Sequence, residues 1–146
     1  MALDVLRRRG VTDLTVLPLY PQYCRSTTGT MVDALATALD TGRAFDSVRI
    51  VSSYHEHPTY IAALAQSVRR RWQAGSPSHL VLSFHGLPVK YIRRGDPYQA
   101  QVEATAEAMA AALGLDRNEW TLTYQSRFPL GRWLGPDTDD VVAALA

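Results

Sequence analysis

His85, in Ser83-Phe84-His85-Gly86-Leu87-Pro88, is the residue of this chain best suited by type and position to do chemistry. An imidazole can accept a proton or ligate a transition-metal ion. The run Leu80-Val81-Leu82 follows Gly75-Ser76-Pro77-Ser78 and predicts a short buried strand. His85 then sits just past the strand's carboxyl end, where open parallel sheets bind their ligands. Gly86 allows a flat ligand close to the backbone, and Pro88 stiffens the exit.

Two further clusters are expected on the same rim. Leu17-Pro18-Leu19-Tyr20-Pro21-Gln22-Tyr23 is a stiff aromatic loop after the first strand, and Ser26-Thr27-Thr28-Gly29-Thr30 leads into a helix. Hydroxyls there read as caps, with an anion site at the helix start as the alternative. Tyr124-Gln125-Ser126-Arg127-Phe128, followed by Trp133-Leu134-Gly135-Pro136, ends the last strand in polar and aromatic groups. His55 and His57 alternate around Glu56 and could ligate a metal together; their place before Pro58 favours loop and capping duty.

Positioning these loops requires strands that alternate with helices. Strands are predicted at Leu14 to Leu17, Val48 to Ser52, His79 to Phe84 and Trp120 to Tyr124, and helices at Ala2 to Arg9, Met31 to Leu39, Pro58 to Ala74, Tyr98 to Leu113 and from Val141. Such alternation predicts an α/β fold with one Rossmann-like parallel sheet covered by helices. Asp40-Thr41-Gly42-Arg43 is the expected boundary between two α/β halves, 1–42 and 43–146. Arg69-Arg70-Arg71 and Arg7-Arg8-Arg9 each fall near a helix C-terminus and read as solvated faces.

Composition excludes several classes of partner and function. The 146 residues are 47% hydrophobic and 20% charged with a net charge of +1, which suits one ordinary core and gives no basic excess for nucleic acid. The lone Cys24 can make no intrachain disulfide and hold no zinc by itself, so a reducing, cytoplasmic setting is expected. No apolar leader or membrane span is legible, and both ends read as cut, as in a piece of a longer enzyme.

The four ordered segments around Tyr20, His85, Gly95-Asp96-Pro97-Tyr98 and Tyr124 to Asp139 resemble the ferrochelatases, which insert ferrous iron into a porphyrin at the end of haem synthesis. The resemblance covers nearly the whole chain. It implies a chelatase-like fold of two α/β halves with the porphyrin between them, and it carries the family's active-site histidine onto His85 as the catalytic residue, acting either as base or as ligand of the substrate iron. It also implies that Ser126 lies near a porphyrin propionate, with Arg127 and Arg132 as neighbouring cations. Tyr20, Tyr23, Leu87, Trp133 and Leu134 could supply the walls that press on the ring.

Members of the family are about twice this length, so the N-terminal porphyrin-contacting segment and the acidic residue facing the histidine are expected in a missing remainder of the enzyme. The chain alone is accordingly expected to show little chelatase activity. No iron–sulfur cluster is expected, because Arg25 stands at the position of a cysteine ligand and no second cysteine is present. Phe128-Pro129-Leu130-Gly131 and Asp137 depart from the commoner family pattern. The alternatives are a non-catalytic tetrapyrrole- or metal-binding module, a coproporphyrin ferrochelatase, and a sibling chelatase for cobalt or nickel. Peripheral membrane contact stays open.

Overall fold

The computed structural model describes residues 2–41, 45–72 and 79–146, which form two compact units, Met1–Tyr54 and His55–Ala146. Residues 42–44 and 73–78 lie outside the described residues, and with them part of the expected boundary at Asp40 to Arg43 and the end of the helix expected to reach Ala74.

In the first unit, helix α1 (Ala2–Arg8) ends at Gly10, whose φ of +73° is the left-handed conformation a glycine stop provides. Strand β1 (Asp13–Val16) pairs in parallel with β2 (Ser47–Ile50), Leu14 opposite Val48. Ser47 donates to the Asp13 carboxylate at 2.5 Å and Thr12 donates to it at 2.9 Å; these bonds hold the Asp13 carboxyl below its ordinary range. Because β2 is bonded to β1, the compact unit runs on to Tyr54. Between the strands comes a π-helical turn, Arg25–Gly29, and then α2 (Thr30–Leu39).

The hydroxyls ahead of α2 do not cap it. Thr27 donates to the Cys24 carbonyl and Thr30 to the Arg25 carbonyl, so they serve acceptors, and the expected side-chain cap is absent. Arg7 departs from the solvated reading as well. Its side chain is only 11% exposed, pairs with Asp4 at 3.3 Å and lies over the Phe45 ring.

The second unit begins with α3 (Pro58–Trp72) and strand β3 (Leu80–His85). A short helix α4 (Val89–Arg93) and the long α5 (Tyr98–Leu113) lead back to β4 (Trp120–Gln125), which pairs in parallel with β3. Helix α6 (Thr138–Leu145) closes the chain, its N-terminus capped by Asp137, whose side chain accepts from the Asp139 amide. Among the described residues the four strands pair as two parallel two-stranded sheets, β1–β2 and β3–β4, and not as the single sheet expected.

Period-two alternation divides the β3–β4 pair into an apolar and a polar face. Leu80, Leu82, Trp120 and Leu122 join Ile61 of α3 and Ala106, Met109 and Ala110 of α5 in the core. Val102 and Ala106 are fully buried, as the spacing of α5 predicts. Arg69 reaches from α3 to the Ala112 carbonyl of α5, while Arg70 and Arg71 stay exposed. The opposite face carries Ser83, Thr123 and His85; Thr138 at the start of α6 bonds both Ser83 (2.8 Å) and Thr123 (2.9 Å) through its hydroxyl.

Candidate active site

His85 is the last residue of β3, opposite Gln125, and is exposed. Sequence reading had put it one residue beyond the strand; the ladder continues because the Gly86 amide donates to the Gln125 carbonyl at 2.8 Å. Gly86 is required there by space, since a β-carbon on it would stand 2.7 Å from that same oxygen.

The loop after His85 is held by a second loop. The Leu134 amide donates to the Leu87 carbonyl and the Val89 amide to the Arg132 carbonyl, both at 2.9 Å, so Pro88 and Trp133 form an isolated antiparallel bridge. Trp133 fixes its own indole by donating to the Leu130 carbonyl at 3.1 Å. Segments 86–89 and 132–134 are thereby bonded into one rim that starts directly after His85. Next to it lies a cavity of about 340 Å³ lined by Pro88, Val89, Arg93, Phe128, Leu130 and Trp133, apolar in its walls and flanked by the cations of Lys90, Arg93 and Arg132.

The residues singled out from sequence fall into different places. Trp133 is half-buried in the rim, and Leu87 is buried beneath it. Ser126 is exposed just past β4 and holds a left-handed backbone with φ +66°. Arg127 extends into solvent with its Nε 3.6 Å from the Asp137 carboxylate, a surface pair of small energetic weight. Tyr20 is half exposed and belongs to the other compact unit, as do Tyr23 and Cys24. Cys24 is buried, its sulfur 3.1 Å from the Ser26 hydroxyl.

His55 and His57 act in the turn before α3. The His57 carbonyl receives the Ile61 amide, and the His55 carbonyl accepts from the Thr105 hydroxyl at 3.0 Å. The His55 ring lies 3.2 Å from the Glu56 carboxylate. Among the described residues, no three His, Cys, Asp or Glu side chains gather as a metal ligand set. None of their helices is long and apolar enough to cross a membrane.

Sequence reasoning missed a role for Tyr98. Its hydroxyl donates to the His85 carbonyl at 3.0 Å. Gly95-Asp96-Pro97-Tyr98 was legible as a segment, but the pairing spans thirteen positions and depends on where α5 starts. Tyr124, also unassigned, buries its phenol; burial, followed by the charges of Glu103 and Tyr98, pushes its ionisation well above the ordinary value of 10.0.

Comparison with known proteins identifies the family. A sequence model of the family described as Ferrochelatase matches residues 1–146. A ferrochelatase of Aeromonas hydrophila is 48% identical over 143 residues, covering 97% of this chain and 44% of that protein. Those of Nitrosococcus oceani and Methylococcus capsulatus are 46% and 47% identical over 146 residues, covering 99% of this chain and 40% and 45% of theirs. The chain thus spans well under half the length of these relatives. Matched by the family's own pattern from end to end and by these relatives at close to half of its positions, the chain that presents His85 in this rim belongs to the ferrochelatase family.

Proposed function

We propose that this chain is part of an enzyme that inserts ferrous iron into protoporphyrin IX to form haem, a lyase-class metal chelation, with His85 as its reactive side chain. The observation that carries the reading is an exposed imidazole at the carboxyl end of a parallel strand, flanked by a rim that Trp133 and Pro88 lock together. Metallation removes two pyrrole protons while a hydrated ion enters a flat, rigid ring. A neutral imidazole accepts one of those protons or takes a place in the iron's shell as water leaves. The iron is substrate, not a resident cofactor.

In this reading Trp133 and Tyr20 present aromatic surface to the macrocycle, and buried Leu87 supports the rim from below. Ser126 and Arg127 meet a propionate; the Arg127–Asp137 pair at 3.6 Å leaves the guanidinium exposed enough to turn toward a carboxylate. The chain covers the end of the first α/β half and the front of the second, with the acidic group opposite His85 supplied by the remainder of the enzyme. The buried Cys24 ligates no iron–sulfur cluster. The enzyme works in the cytoplasm, on a porphyrin and without nucleic acid.

The test is insertion of ferrous iron, and of zinc as a surrogate, by the full-length protein, followed by porphyrin absorbance and zinc-porphyrin fluorescence. Turnover with protoporphyrin is the expected result. Faster turnover with coproporphyrin moves the substrate, and porphyrin binding without metallation establishes the non-catalytic tetrapyrrole-binding alternative.

A further inference from the structure

We propose that Tyr98 is a positioning residue for His85, through a two-sided clamp on the peptide group that joins His85 to Gly86. In the β3–β4 ladder, the Leu80 amide donates to Glu119 at 2.9 Å and the Gly86 amide to Gln125 at 2.8 Å. Even-numbered residues of β3 therefore turn their amides and carbonyls toward β4, and the His85 carbonyl points to the opposite edge. Among the described residues no strand pairs with β3 along that edge. The Tyr98 hydroxyl takes that place, donating to the His85 carbonyl at 3.0 Å.

The His85 carbonyl and the Gly86 amide belong to one planar peptide unit. With Gln125 on its N–H and Tyr98 on its C=O, that plane cannot rotate, which fixes the direction in which the His85 side chain leaves the backbone. Tyr98 is itself anchored. It is the first residue of α5, its amide donates to the Asp96 carboxylate at 3.0 Å, and Gly95 at φ +90° makes the turn that brings it there. Orientation of a reacting group is worth large factors in rate even when the orienting residue never touches substrate.

This inference rests on His85 being the reactive group, so its test includes a measurement that needs no turnover. In the full-length protein, Tyr98→Phe keeps the ring and removes the hydroxyl. The expected result is a fall in kcat of about tenfold with KM for porphyrin within about twofold. His85 ring-nitrogen signals followed by NMR titration should shift and broaden, with the thermal midpoint little changed. Asp96→Ala, which leaves the phenol and loosens its anchor, should move the same signals less, and serves if Tyr98→Phe folds poorly. Unchanged ring signals and unchanged kcat overturn the proposal. A rate loss that merely follows a lowered thermal midpoint and vanishes at lower temperature also overturns it. Should the wild-type protein metallate nothing, the chelatase reading fails, and the imidazole titration still decides the role of Tyr98.

Discussion

Gly86 and Gln125 meet so closely that the Gln125 carbonyl both accepts the Gly86 amide at 2.8 Å and occupies the space a β-carbon on Gly86 would need, 2.7 Å away. The obstructing atom is backbone at the last rung of the ladder, not the far end of a flexible side chain that could swing aside. Gly86→Ala is expected to lower stability by about 1–3 kcal/mol, the range for overpacking, and to shift His85 with the strand exit. Urea unfolding midpoints check the first effect and zinc-porphyrin fluorescence the second. Wild-type values in both would show that the strands part without cost.

His85→Ala should separate chemistry from folding. The side chain is exposed at a strand end, so stability should stay within about 0.5 kcal/mol of the parent. Iron and zinc insertion by the full-length protein should fall by at least about a hundredfold, the scale on which a positioned proton acceptor acts. Retention of most of the chelation rate would remove His85 from the mechanism.

Much of this architecture is legible in the sequence because local patterns and tertiary demands coincide. Val102, Ala106 and Met109 repeat at helical spacing and are buried, and Gly114 stops α5 at φ +73°. The pairing of strands is not written locally, since Val48 beside Leu14 and Phe84 beside Tyr124 are choices made by the connections between them. Helix α4 was missed because five residues leave no periodicity to read. Helix α6 starts at Thr138, earlier than Val141, because the capping carboxylate of Asp137 outweighs the polar character of its first turn. At the site, the motif reveals His85, whereas the Pro88–Trp133 bridge and the Tyr98 bond join residues far apart in the chain.

Ser126 combines a strained backbone with a hydroxyl proposed to meet a propionate, and two substitutions tell these apart. At φ +66° an L-residue bears roughly 1–2 kcal/mol of strain that glycine escapes, against about 0.5–1 kcal/mol of added chain entropy. Ser126→Gly should therefore be neutral to about 1.5 kcal/mol more stable, while Ser126→Ala keeps the strain and gains nothing. Both should raise KM for porphyrin to the same extent if the hydroxyl binds substrate. The check is a pair of thermal melts with steady-state kinetics; an unchanged KM in both variants would take Ser126 out of the pocket.

Tyr124 buries a phenol oxygen that has no hydrogen-bond partner among the described residues. An unsatisfied buried hydroxyl costs roughly 1–3 kcal/mol, so Tyr124→Phe, which keeps the ring that fills the space, should hold or raise stability near neutral pH. The pH dependence has a definite sign. Burial first, then Glu103 and Tyr98, raise the folded phenol above its ordinary 10.0, so the folded state binds its proton more tightly than the unfolded state does. Below the ordinary value both states are neutral and the contribution of this group is fully present. As pH climbs past it the unfolded chain ionises first, and stability is lost progressively. Urea midpoints at about pH 8 and about pH 11 should show a smaller alkaline drop for Tyr124→Phe than for the parent. Equal drops would mean that the phenol finds a proton acceptor or solvent in the folded protein, and that its burial does not control the alkaline limb.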